Sequence, residues 1–361
     1  MNENGRLFSL IDSIKPLNKQ RFYKIAEYRL NRLIKPKKSL GRLEEFVKDI
    51  VAITEDERPE LREKYVCVFA GDHGVVKEGV SLFKQDVTAQ MVKNFLGGGA
   101  AINAIANSVG ANVVVVDTGI NADLGPLARN NFINGKIKYG TNNIYEEKAM
   151  TYEDAIKSLL KGIEIACIMK ENGAGICATG DMGIANTTPS SAITCFYSKK
   201  PAILVCGRGT GVSSSVMRKK AYIVEKAIKS NIQNGSDPVD VLAGVGGFEI
   251  GAIAGFILGC AVNRMPVVVD GFISTAGALI AINLNPYVLD YMFLGHLSKE
   301  RGHKTALNLI KGKKPILDLS MRLGEGTGAV IAMKIIETAV NMYNNMLTFD
   351  EANVFASKLN R

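Results

Sequence analysis

Apolar residues recur every three to four positions from Asn18 to Leu33 and again from Leu40 to Ile53, with the breaker Lys35-Pro36 between them. This spacing predicts two amphipathic helices and no strand in the first sixty residues. From Tyr65 the pattern changes to short continuous apolar runs, rich in β-branched residues, that end in Gly or Asp and lead into helical segments. The runs are Tyr65–Ala70, Asn112–Asp117, Gly175–Ala178, Ala202–Cys206 and Pro266–Asp270. Alternating with helices, they predict parallel strands buried on both faces. Ala329–Tyr343 is helical again. The expected fold class is therefore α/β: a Rossmann-like, mostly parallel sheet with helices on both faces, plus a small helical subdomain from the two termini. The expected boundaries are 1–64 with 329–361 for the helical subdomain and 65–328 for the α/β catalytic domain.

Composition narrows the class of protein. The chain has 361 residues, 47% hydrophobic and 22% charged, which is the balance of a folded globular protein. The longest apolar run, Phe248–Val262, is interrupted by Glu249, three Gly and a Cys, and is shorter than a bilayer span requires. No membrane span, secretory signal or transit peptide is expected, and the expected location is the cytoplasm. Six Cys are scattered without CxxC spacing, so neither disulfides nor zinc is expected. The net charge of +9 is diffuse apart from the acid-free stretch Arg29–Arg42. With 7% aromatics and no Trp, a nucleic-acid surface is weakly supported, whereas a phosphate-bearing small substrate suits the balance equally well as a solvated surface does.

In parallel sheets ligands bind beyond the carboxyl ends of the strands, so the segments after each run carry the candidate chemistry. Gly207-Arg-Gly-Thr-Gly211 offers closely spaced N–H groups, a hydroxyl and a guanidinium for a phosphate, although Gly-rich turns also follow strands for steric reasons alone. Asn186, Thr187 and Thr188, after Gly183, are explained by capping of the next helix. Arg218, Lys219 and Lys220 supply charge at helical spacing or form a solvated face. Gly324-Glu-Gly-Thr-Gly328 places a carboxylate between glycines, where backbone can approach a ligand closely. A Glu in a partly apolar pocket suits a general base near neutral pH; equally, it suits a helix N-terminus. Asp72 and His73 are expected to shape a loop wall, and His296 and His303 bracket a polar loop that either closes over a phosphate or is solvated. With three His and no HxH or HxxxH, neither a metal nor another cofactor is expected.

Taken in order, these segments resemble the nicotinate-nucleotide:dimethylbenzimidazole phosphoribosyltransferases of cobalamin lower-ligand synthesis. The resemblance rests on Ile34–Glu45, Gly71-Asp-His-Gly-Val75, Glu78-Gly-Val-Ser81, Val87–Val92, Asp117-Thr-Gly-Ile120, Gly180-Asp-Met-Gly-Ile184, Asn186-Thr-Thr188, Gly207–Gly211 and Arg322–Ala329, and spans nearly the whole chain. It implies attack of a benzimidazole nitrogen on C1′ of nicotinate mononucleotide, releasing nicotinate and giving the α-ribosyl product. It implies Glu325 as general base, Gly183, Gly209, Lys220 and Ser298 at the phosphate, Asp181 at the ribose, and Ser81, Gln90 and Leu323 around the base. It also implies a homodimer. The family usually has Glu where this chain has Asp181, often Gly where it has Ala185, and commonly a Pro before the Gln of Ser81–Gln85.

The chemistry is coherent without a metal. The leaving group is a pyridinium whose departure neutralises charge, so one base suffices, and a carboxylate near C1′ also stabilises developing positive charge. The alternatives are the same chemistry with adenine or a phenol as acceptor, and a catalytically silent nucleotide-binding regulator, which would have no need of Glu325. A nucleic-acid-binding protein stands third.

Overall fold

The computed structural model describes residues 2–125, 131–233 and 235–354; the end of the 329–361 segment beyond 354 lies outside them. Six strands form one sheet: β1 (Glu63–Gly71), β2 (Asn112–Gly119), β3 (Phe132–Asn134), β4 (Ala174–Met182), β5 (Val267–Val269) and β6 (Met292–Leu294). Their order is β3-β2-β1-β4-β5-β6, and every pair is parallel. This is the doubly wound arrangement, in which the connection reverses direction between β1 and β4 and opens a crevice at their carboxyl ends. The central strands are Val-, Cys- and Ala-rich and almost wholly buried, as a sheet covered on both faces demands.

Four of the five apolar runs are strands in the structure. Ala202–Cys206 is not: Ala202–Val205 is a single helical turn led in by Pro201 at φ −55°. Ala202 and Val205, three apart, face inward, while Ile203 and Leu204 are 39% and 50% exposed. The neighbour position beside β4 belongs to β5, so this run has no place in the sheet. Strands β3 (Phe-Ile-Asn) and β6 (Met-Phe-Leu) lack the continuous β-branched run that marks the equally short β5.

Phe248–Val262 is a helix buried on every side, with no polar face to show solvent. It crosses Tyr152–Glu171 in close backbone contact: a Cβ at Gly162 would lie 2.0 Å from the Ala252 carbonyl oxygen, and one at Gly255 1.9 Å from that of Leu159. Only glycine permits this approach. No helix among the described residues is long and apolar enough to cross a membrane. Helices from both termini meet where the Arg29 guanidinium donates to the carbonyls of Tyr343, Asn344 and Met346. Their apolar residues belong to one buried cluster with those of the sheet. The last helix, Thr327–Asn345, lies against β4 and β5, which sets Glu325 just before it at the strand ends.

Candidate active site

A cavity of about 460 Å³ opens at the carboxyl ends of the strands. Of the residues singled out in the sequence, Glu325, Asp181, Gly183, Gly209, Ser298 and Leu323 line it. Lys220 lies directly behind the wall, its Nζ donating to the hydroxyl of the lining residue Thr187 at 2.6 Å. Ser81 and Gln90 are not on the wall. Ser81 reaches it through Thr210, Oγ to Oγ1 at 3.5 Å, and Gln90 is exposed on the helix Asp86–Gly97, beside the lining residues Val87 and Met91.

Glu325 occupies a left-handed backbone conformation (φ +63°) between Gly324 (+87°) and Gly326 (+90°). Three such residues in a row make a sharp turn that glycine alone adopts without strain, which is the use of the flanking glycines. The turn is pinned by Asp270, whose oxygens accept the Gly326 N–H at 3.3 Å and the Ala329 N–H at 2.9 Å. The Glu325 side chain is buried, and Oε2 accepts the Ile102 N–H at 3.2 Å in the first turn of the helix Ala101–Val109. The carboxylate thus caps a different helix from the one it precedes in sequence. Burial raises its pKa; the Ile102 N–H opposes the rise and the Asp270 charge adds to it.

Asp181 ends β4. Its Oδ2 accepts the Asn186 side-chain amide at 3.0 Å, and its Oδ1 is buried with no hydrogen-bond partner among the described residues. Burial, reinforced by the charges of Asp270, Glu249 and Glu325, pushes this carboxyl well above the usual Asp range. A Cβ at Gly324 would lie 3.2 Å from both Asp181 oxygens, so the shorter carboxylate sits against the Glu325 turn. Ala185, where the family often has Gly, is itself left-handed at φ 74°. Asp181→Asn is expected to raise unfolding stability by about 1 kcal/mol, as removal of a buried, self-repelling functional charge does. An acid whose folded pKa is raised destabilises the fold at pH above its unfolded pKa. The gain should therefore be largest at neutral to alkaline pH and vanish below about pH 4, the ordinary Asp range; denaturant titrations across that range test it, and a loss of stability at pH 8 would refute it.

The remaining walls follow from the same strand ends. His73, Nε2 2.8 Å from Glu249 Oε1, is buried, as is Asp72. Asp72 accepts the Thr88 hydroxyl at 2.7 Å, and that hydroxyl accepts the Ile184 N–H at 3.1 Å. These residues support the lining loop rather than face the ligand space. His296 and His303 are buried, not solvated. His303 Nδ1 accepts the Ser298 N–H at 2.8 Å and its Nε2 stands 3.0 Å from the Thr275 hydroxyl, and burial followed by repulsion from His296 pushes its pKa down to about 3. It is neutral, so the bracketed loop is held by a fixed hydrogen-bond pattern. Ser298 Oγ accepts the Glu300 N–H at 3.2 Å, leaving its own proton for a ligand. Arg322 donates to the Gly209 carbonyl at 2.8 Å and ties the two loops across the mouth.

The apolar side of the cavity is formed by Phe83, Val87, Met91, Phe272 and Ile273, to none of which sequence reasoning gave an individual role, although Phe83 lies in Ser81–Gln85 and Val87 and Met91 in Val87–Val92; Glu300 lies on the wall in the polar loop that His296 and His303 bracket. The four-residue spacing of Val87 and Met91 on one helix was the available signal for part of the apolar side. The whole offers an apolar seat and a buried carboxylate, together with Gly N–H groups, a hydroxyl and, behind the wall, a buried ammonium. That arrangement can hold a planar heterocycle next to a phosphorylated sugar.

Comparisons with known proteins identify the family. A family model described as phosphoribosyltransferase matches residues 14–354. The nicotinate-nucleotide--dimethylbenzimidazole phosphoribosyltransferase of Geobacter metallireducens is 52% identical over 329 residues, 91% of this chain and 92% of the relative. The protein of that name from Chlorobaculum tepidum is 46% identical over 351 residues, 97% and 98% of the two chains. A crystal structure of CobT from Thermus thermophilus superposes with a TM-score of 0.89 at 42% identity, covering 93% of this chain and 99% of that one.

Proposed function

The chain belongs to the nicotinate-nucleotide–dimethylbenzimidazole phosphoribosyltransferase family, and on that premise we propose that Glu325 is the general base of its reaction. The enzyme transfers the phosphoribosyl group of nicotinate mononucleotide to the lower-ligand base of cobalamin. A benzimidazole nitrogen forms the new bond to C1′, the bond from C1′ to the pyridinium nitrogen breaks, and its electron pair neutralises the departing nicotinate. The N–H proton of the attacking base passes to the Glu325 carboxylate. The acceptor rests on Phe83, Val87, Met91 and Leu323. The nucleotide extends past Asp181 at the ribose to Gly183, Gly209, Ser298 and Lys220 at the phosphate.

The observation that carries this reading is the buried Glu325 carboxylate, fixed by a left-handed turn and one helix N–H at the edge of the apolar seat. Base assistance typically supplies about 10²–10⁴ in rate, and holding two substrates in attack geometry supplies more. Ser81 and Gln90 belong to the same proposal only as supports of the seat, Ser81 through Thr210. A homodimer acting in the cytoplasm, with a small helical subdomain built from both termini, completes the reading; sedimentation velocity checks the dimer.

Incubation of the purified protein with nicotinate mononucleotide and 5,6-dimethylbenzimidazole in chelator, followed by product mass and anomer assignment, tests the reaction. The expected result is nicotinate and α-ribazole 5′-phosphate. A β-anomer, or turnover with adenine or a phenol but not with the benzimidazole, would overturn the assignment of this acceptor.

A further inference from the structure

Besides Asp181, two more residues of the cavity wall carry a buried polar atom with no hydrogen-bond partner among the described residues: Glu300 at Oε2 and His296 at Nδ1. A buried acceptor left unpaired costs about 1–3 kcal/mol, so each calls for a donor that no described residue supplies. In the reading above, the nucleotide's sugar brings two hydroxyl donors, and Asp181 takes only one.

The wall orders the acceptors. Asp181 lies against the Glu325 turn, where C1′ reacts, as the 3.2 Å approach to a Cβ at Gly324 shows. Glu300 lies against the Gly207–Gly211 loop. A Cβ at Gly207 would fall 2.3 Å from Glu300 Oε2, at the start of the Gly207–Gly211 loop. Its charge also acts on the Lys220 ammonium behind that loop, which compensates the carboxylate and would let it stand near a phosphate. His296 stands on the Asp270 side of the wall, with Nε2 3.7 Å from Asp270 Oδ1 and its ring against Gly328, and it offers a ring nitrogen rather than a carboxylate. Along a nucleotide whose C1′ is at Glu325 and whose phosphate is at Gly209, the 2′-hydroxyl meets Asp181 first. The 3′-hydroxyl comes next, toward the phosphate.

We infer that Glu300 is a second sugar-binding residue, its carboxylate, one oxygen of which has no hydrogen-bond partner among the described residues, accepting the hydrogen bond of the ribose 3′-hydroxyl. The inference rests on the proposed binding direction of the nucleotide. It makes the enzyme selective for an intact ribose: a sugar lacking the 3′-hydroxyl leaves the carboxylate buried and unpaired, and a missing partner is penalised more heavily than an extra group. Ser298 fixes this residue by accepting its backbone N–H, so phosphate and sugar recognition share one loop.

The test compares nicotinate mononucleotide with its 2′-deoxy and 3′-deoxy analogues, by calorimetric Kd and by kcat/KM, in the wild-type enzyme and in Glu300→Ala, Glu300→Asp and Glu300→Gln. In the wild type, loss of the 3′-hydroxyl is expected to weaken binding about 10- to 100-fold, the range of a hydrogen bond to a charged group. That penalty should shrink to less than about threefold in Glu300→Ala and Glu300→Asp. It should be intermediate in Glu300→Gln, which keeps an uncharged acceptor, and the 2′-deoxy penalty should stay constant throughout. Glu300→Asp keeps a carboxylate at the position, so it still answers if Glu300→Ala does not fold. An undiminished 3′-deoxy penalty in both variants would overturn the assignment, as would equal weakening of all three nucleotides, which would make Glu300 only a support for Lys220. Failure of the wild type to bind any of the nucleotides would instead refute the underlying functional reading.

Discussion

Glu325→Gln is expected to lower kcat by at least about 10²-fold while the Kd for nicotinate mononucleotide stays within about tenfold. The amide is isosteric, and its oxygen can still accept the Ile102 N–H that holds the carboxylate at 3.2 Å, so the turn and the cavity should persist. What is lost is the ability to take the proton of the attacking base. The pH dependence gives a second readout. Burial and then Asp270 raise the Glu325 pKa against the opposing helix N–H, and the base works only when ionised. Turnover should therefore be full above that raised pKa and fall as pH drops through it, on an acid limb lying above the ordinary Glu value of about 4.3. The limb should be absent from the residual activity of Glu325→Gln; a limb that persists there belongs to Asp181, the other wall carboxyl with a raised pKa. Unchanged kcat would remove Glu325 from the mechanism.

Lys220→Ala should weaken nicotinate mononucleotide by about 1.5–3 kcal/mol, the usual size of a hydrogen bond to a charged group, and leave the dephosphorylated riboside nearly unaffected. The structure makes the comparison with its neighbour informative. Lys220 Nζ is buried against Thr187, and would lie 3.8 Å from a Cβ at Gly209. Lys219 is exposed and donates to the Glu78 carbonyl at 2.6 Å, pointing away from the cavity. Burial lowers the Lys220 pKa while Cys206 and Glu300 pull it back up, so the ammonium is poised for an incoming anion. Lys220→Met, which keeps the apolar stem, controls for lost packing. Calorimetry with nucleotide and riboside on all three variants checks the prediction. Equal weakening of both ligands, or a Lys219→Ala effect as large as that of Lys220→Ala, would transfer the phosphate to Arg322, which lines the cavity, or to Arg208 of the Gly207–Gly211 loop.

The apolar runs at 65, 112, 175 and 266 declare themselves as strands because continuous β-branched segments closed by Gly or Asp have few other stable destinations, and the same logic locates the candidate chemistry in the loops beyond them. Gly324-Glu-Gly likewise reads as a place of close approach before any coordinate is known. Ala202–Cys206 shows the limit: its composition suits a strand, yet a run forms one only if the sheet has an edge to offer, and β5 already occupies that place beside β4. Strand pairing is a property of the whole chain. For the same reason the sequence left Glu325 open between a base and the cap of its own helix; folding set it on the first turn of a helix more than two hundred residues earlier and beside an apolar seat. Glu300 and Phe83 carried only a weak signal, as members of the His296–His303 loop and of Ser81–Gln85. A carboxylate among Ser, Lys and Arg looks solvated in one dimension, and the packing of the His296–His303 segment against the Gly207 loop buries it with Oε2 unpaired among the described residues. Period and composition determine which segments become strands and helices and which loops end them, because those depend on neighbours along the chain; burial, pairing and pKa depend on neighbours across it, and those only the tertiary structure decides.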